Sequence, residues 1–153
     1  MAAPALSHLI CSMALVVLIL VIPVFYSVEM SSIETEITEI ELAEIADYTS
    51  NTLANLYFLA NSTNNLNINL TKELIYLPLT VQDSPYTLSI ISVGGNASKV
   101  TASIQGTTTS ADSWLVPGLK VGESYSLDII RGTVVAGCYR SGSDFHIWLG
   151  YGE

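Results

Sequence analysis

From Met1 to Val28 the chain contains no Asp, Glu, Lys or Arg, and its first charged side chain is Glu29. About 20 helical residues cross a hydrocarbon core about 30 Å thick, so an uncharged apolar run of this length belongs in lipid or in a protein interior that resembles it. A chain of 153 residues then has room for one ordinary domain beside that element, and not for two independent cores. Half the residues are hydrophobic (50%) and 12% are charged, which is too apolar for a disordered tail and unusual for a soluble globule. Something other than a compact core must absorb that surface.

The first basic residue of the whole chain is Lys72. A secretory signal carries positive charge ahead of its apolar segment, and a membrane helix is oriented by Lys or Arg on its cytoplasmic side. Two readings follow. In the preferred one a basic leader has been removed and Met1 begins a mature chain; in the other Met1 is the initiator, and the acids between Glu29 and Asp47 keep that side out. Both place residues 29–153 outside the cytoplasm.

Past Val28 the helical period continues. Ile33, Ile37 and Ile40, then Leu42, Ile45 or Ala46, Thr49, Leu53, Leu56 and Ala60 recur mostly at three- and four-residue steps. One long helix from about residue 5 to about residue 60 is predicted, with an apolar stripe that changes phase between Ile40 and Leu42. Glu29, Glu34, Glu36, Glu39, Glu41, Glu44 and Asp47 fill the other positions without a Lys or Arg nearby. They form a solvated face, or one that repels or pairs with a neighbouring copy. Pro4 is tolerable near a helix start, whereas Pro23 falls inside the run and should kink it. Asn61-Ser-Thr-Asn-Asn-Leu-Asn reads as the helix stop.

Beyond it the period becomes two. Strands are expected at Tyr86–Val93, Lys99–Gln105, Tyr125–Ile130, Thr133–Tyr139 and Asp144–Leu149, with a sixth at Leu74–Leu79. Gly94-Gly95-Asn96, Pro117-Gly118, Arg131-Gly132 and Ser141-Gly-Ser punctuate them as turns. The fold class is therefore α+β, a long N-terminal hydrophobic helix followed by an antiparallel β-sandwich-like domain. Its segments are 1–28, a hydrophobic helix; 29–60, its acidic amphipathic continuation; and 61–153, a β-rich extracellular domain whose core Trp114, Trp148 and several Tyr would supply.

Sites of chemistry are sparse. His8 and His146 lie far apart, and no Cys, His or carboxylate cluster has the spacing of a metal site, so no metal or cofactor is expected. Ser141, Ser143, Asp144 and His146 contain the residue types of a triad, but residues this close on one hairpin rarely converge in triad geometry. No phosphate loop or basic patch occurs, and a net charge of −9 argues against nucleic acid. An enzyme is not expected. Cys11 in the apolar run and Cys138 in the outer domain form no evident disulfide, and Cys138 reads as a small buried strand residue. Asn61-Ser-Thr, Asn69-Leu-Thr and Asn96-Ala-Ser match the N-glycosylation pattern, which makes Asn61, Asn69 and Asn96 candidate carriers of N-linked glycans.

An apolar helix of about 28 residues with an internal Pro, prolonged as an amphipathic helix and followed by a Ser/Thr-rich β domain, resembles an archaeal type IV pilin or archaellin. That resemblance implies a basic leader cut by a prepilin peptidase, mature helices packed in a filament core, and β domains forming a sheath that is often glycosylated. Bacterial members often carry an acid at the fifth mature position, where this chain has Ala5. The same layout is similar to the membrane-anchored accessory proteins of the archaellum motor. The expected function is that of a structural subunit of an extracellular, cell-surface filament serving adhesion. It would be membrane-inserted before assembly and partnered by copies of itself in a helical homopolymer. The assembly helix would act through Leu9, Leu15, Val16, Leu18, Leu20, Pro23, Ile33 and Ile37. A membrane-anchored scaffold or stator protein of the archaellum is the alternative.

Overall fold

The computed structural model describes the backbone of residues 3–63, 65, 67–122 and 126–152, with side chains from residue 8 onward. One helix, α1 (Ala3–Ser62), is followed by eight strands: β1 (Asn67–Glu73), β2 (Tyr86–Val93), β3 (Asn96–Ile104), β4 (Ser110–Trp114), β5 (Lys120–Val121), β6 (Leu127–Asp128), β7 (Val134–Ser141) and β8 (Asp144–Tyr151). The class is α+β, as the change of period from helical to alternating requires. Met1, Asn64, Leu66 and Tyr125, which entered the expectations for the chain start, the helix stop and one strand, lie outside the described residues, as do the side chains of Pro4 and Ala5.

No glycine falls within α1, since the first glycine of the chain is Gly94. Pro23 sits inside the helix and has no N–H to offer the carbonyl of Ile19. At the C-terminal end the hydroxyls of Ser62 and Thr63 donate to the carbonyls of Leu59 (2.8 Å) and Ala60 (2.8 Å), which would otherwise lack partners.

The chain divides into two compact units, Met1–Ile37 and Thr38–Glu153. In the second, the helix from Leu42 onward provides one wall of the core. Leu42, Ile45, Ala46, Leu53, Leu56 and Ala60 are buried in one cluster with Leu88, Val100 and Ala102 of β2 and β3, and with Ala136, Cys138, Ile147 and Leu149 of β7 and β8. The stripe thus becomes a core face where its phase shifts, just past Ile40. Thr49 is also fully buried and donates its hydroxyl to Ile45 O (2.9 Å), while Ser50 donates to the Trp114 carbonyl (2.7 Å).

The sheet runs β1-β7-β8-β5-β3-β2-β6, with β4 paired on β3. All described pairings are antiparallel except β5 with β8. Hairpins close where turns were expected, with Gly94, Gly95 and Gly142 at positive φ, a backbone region that glycine enters without a Cβ penalty.

Three sequence expectations need correction. Leu74–Leu79 is not a strand; the strand lies just before it, at Asn67–Glu73, because Pro78 cannot donate to a ladder and Leu77 N instead closes a turn on Leu74 O. The Tyr125–Ile130 strand shortens to two residues, after which Ile129–Arg131 forms a 3-10 turn. Neither tryptophan is a core residue: Trp114 is 77% exposed, while Ser113 beside it points inward, and Trp148 lies on the opposite face of β8 from the buried Ile147 and Leu149. Among the described residues the fully buried aromatic side chain is Tyr86, whose hydroxyl donates to Pro78 O (2.7 Å) and whose burial raises its pKa.

Candidate functional site

From His8 to Ile37 every residue of α1 is exposed, and the large apolar side chains of this stretch are 42% to 69% accessible. Leu15 to Ile22 are apolar without interruption, so they point in every direction around the axis. A helix that is apolar all round requires a surrounding medium of its own kind, either lipid or other helices. The predicted assembly residues Leu9, Leu15, Val16, Leu18, Leu20, Ile33 and Ile37 are all exposed, and Pro23 lies among them. Four of the hydroxyls there bond back within the helix. Ser12 donates to His8 O (2.7 Å), Ser27 to Val24 O (2.9 Å), Ser31 to Val28 O (3.0 Å) and Thr35 to Ser31 O (2.9 Å), so these groups need no water.

The 21 residues from His8 to Val28 rise about 31 Å, the thickness of a bilayer core. Ile33, Ile37 and Ile40 lie beyond that length, among the acids, and remain exposed, whereas Leu53 and Leu56, farther along the helix, are buried in the core cluster that includes the chain's own strands. The apolar surface of α1 left for a partner past the bilayer span is therefore a strip of Met30, Ile33, Ile37 and Ile40, with Phe58 and Leu59 exposed again near the helix end.

The acidic helix finds little positive charge at hand. Lys99 is hydrogen-bonded and ion-paired to Asp112 and Lys120 to Asp144 (2.6 Å) within the sheet, and Arg131 of the 3-10 turn is ion-paired to Asp128 (3.4 Å). Arg140 donates to Gly142 O (3.0 Å) and Thr63 O (3.4 Å) and lies over the Phe145 ring. Glu41 accepts a neutral donor, Gln82 Nε2 (2.9 Å). The hydrogen bonds from Lys99 and then Thr101 hold the Asp112 carboxyl below the usual carboxylate range, and that from Lys120 does the same for Asp144.

The triad residue types are committed elsewhere. Asp144 serves Lys120, and the His146 ring stacks on Tyr139 with centroids 4.8 Å apart and planes within 5°. Among the described residues no group of three His, Cys, Asp or Glu is placed to hold a metal. Cys138 is buried, which pushes its thiol up to about 11, and Cys11 is exposed on the apolar helix. Asn61, Asn69 and Asn96 are all exposed: Asn61 in the last turn of α1, Asn69 in edge strand β1, and Asn96 just after the Gly94-Gly95 turn. No family model, curated protein or solved structure matches the chain.

Proposed function

We propose that this chain is the structural subunit of an extracellular filament of the archaeal type IV pilin kind. Copies pack through residues 8–40 of the helix, the β domains lie outside, and the polymer serves adhesion at the cell surface. The subunit waits in the membrane before assembly and carries N-linked glycans. The reading requires no cofactor, nucleic acid or catalytic step. One observation carries it: the exposed apolar surface of α1 continues past bilayer length through Ile33, Ile37 and Ile40. Lipid can cover His8 to Val28 but not a strip set among seven acids, while a neighbouring helix can cover both. Burying a large aliphatic side chain is worth about 1.5–3 kcal/mol, so three per copy add materially to the cohesion of a helix core.

The alternative, a membrane-anchored scaffold or stator of the archaellum, draws on the match between His8–Val28 and one bilayer crossing. Sedimentation of material sheared from cells separates the two. Long polymers pelleting without detergent are expected, because packed helices leave no apolar surface for detergent to cover. Recovery only from the membrane fraction, in micelles, would favour the anchor, since a helix of this length does not leave lipid unaided.

A further inference from the structure

On the outward face of β1, β7 and β8 the aromatic side chains lie flat on a floor of glycines. Gly137 faces Trp148 in register, and a Cβ at Gly137 would stand 2.1 Å from Trp148 Cε2 and 2.3 Å from Nε1, so the indole rests directly on the backbone there. At its other end the ring covers Gly150, where a Cβ would meet Cζ3 at 2.9 Å. Tyr139, stacked on His146, reaches over Gly122, where a Cβ would come 3.3 Å from its Cε1. Strand interiors disfavour glycine, and here its lack of a side chain lets broad rings settle parallel to the sheet with one face still half-open to solvent.

Edge strand β1 runs alongside. Asn69 is opposite Tyr139 and Thr71 is opposite Gly137, so both outward residues of the Asn69-Leu70-Thr71 sequon border the rings. Directly opposed residues lie about 5 Å apart and diagonal ones about 7–8 Å. Asn69 is exposed, and its amide makes no hydrogen bond among the described residues. The other two sequons lack such a floor: Asn61 ends the helix, and Asn96, separated from His146 by Lys120, shares a shallow cavity with Trp114, whose indole stands 77% exposed and covers no glycine.

We propose that this face is the seat of the first sugar of an N-linked glycan carried by Asn69, the pyranose lying over Trp148 and the Tyr139–His146 pair. A pyranose presents a flat array of C–H bonds on each face and hydroxyls around its rim, and an aromatic face excludes water from the former while leaving the latter solvated. The occupant is tethered one strand away, so its association is intramolecular and needs little intrinsic affinity. It would also shield the free edge of β1, which otherwise offers unpaired backbone groups to another strand. The inference rests on the exported location of residues 61–153 in the filament reading.

The test is hydroxyl-radical footprinting of full-length protein isolated from its own cells, read residue by residue by mass spectrometry. A sugar is expected on the peptide bearing Asn69. Trp148 should oxidise several-fold more slowly in the wild type than in Asn69→Gln or Thr71→Val, with Trp114 equal in all three, and Asn96→Gln should leave Trp148 unchanged. Bare Asn69, or equal Trp148 rates with the glycan present, would overturn the proposal. So would protection of Trp148 in Asn69→Gln by an added free saccharide alone, which would make the face a receptor for sugars from elsewhere. Polymer formation is scored separately: intact polymers with bare Asn69 defeat this inference and spare the filament, and glycan-protected protein that never polymerises does the reverse.

Discussion

Leu15 has Cys11, Ser12, Leu18 and Ile19 as its neighbours along the helix, none of which can answer a charge. A glutamate there would cost about 3 kcal/mol even in a membrane. We expect Leu15→Glu to abolish assembly, and normal filaments by electron microscopy would refute helix packing. Cys138 gives a test of the sheet core. Its thiol, raised from 9.0 to about 11 by burial, carries about a hundredfold less thiolate than an ordinary cysteine near pH 8. Alkylation at Cys138, followed on its own peptide, should be at least that much slower in native protein than in urea. Burial of the neutral thiol contributes fully to stability below the unfolded value near 9, and that contribution is lost as pH rises through about 11. The sequence named the aromatic residues and not the directions they face. Trp114 looked like core, but alternation along Ser-Ala-Asp-Ser-Trp turns Ser113 inward and leaves the indole out. Gly137 and Gly150 were the legible trace of the Trp148 platform, because glycine inside a strand marks close approach.

Helix α1 has two kinds of neighbour along its length, and its stripe records the change. The phase shift between Ile40 and Leu42 was visible as spacing; what it meant needed the sheet, because Leu53 and Ile37 look alike as sequence and only Leu53 is buried in the core cluster. Their substitutions should therefore part. Leu53→Ala, which opens a cavity at a fully buried site, should destabilise the unit 38–153 by about 2–5 kcal/mol in a denaturant titration. Ile37→Ala should leave that titration within about 0.5 kcal/mol and weaken the polymer instead, since its side chain is exposed in the single copy. Among the strands, the long ones with β-branched residues were legible. Strand β1 was not, because an edge strand buries little and Asn67–Glu73 is more polar than the apolar Leu74–Leu79 beside it. Two-residue β5 and polar β4 owe their pairing to β8 and β3, which no local pattern encodes.

At the scale of the whole molecule, two populations of carboxylates play different parts. The seven acids of Glu29–Asp47 put like charge along the helix, so salt that screens it should tighten a polymer. Asp112 and Asp144, held low by hydrogen bonds from Lys99 and Lys120, favour the folded sheet above the ordinary carboxylate range, and that small contribution from exposed pairs fades as pH falls through their depressed values. Filaments should hence sediment more completely as sodium chloride rises from about 0.01 M to about 0.15 M. Dissolution on adding salt would contradict this reading. The bases tied up by the sheet have a further consequence. Lys99, Lys120, Arg131 and Arg140 are engaged at home, and each copy keeps a net charge of −9. A rod of such subunits would be a polyelectrolyte sheathed in mobile cations, kept apart from its neighbours by sodium at low ionic strength and drawn into bundles by magnesium or calcium.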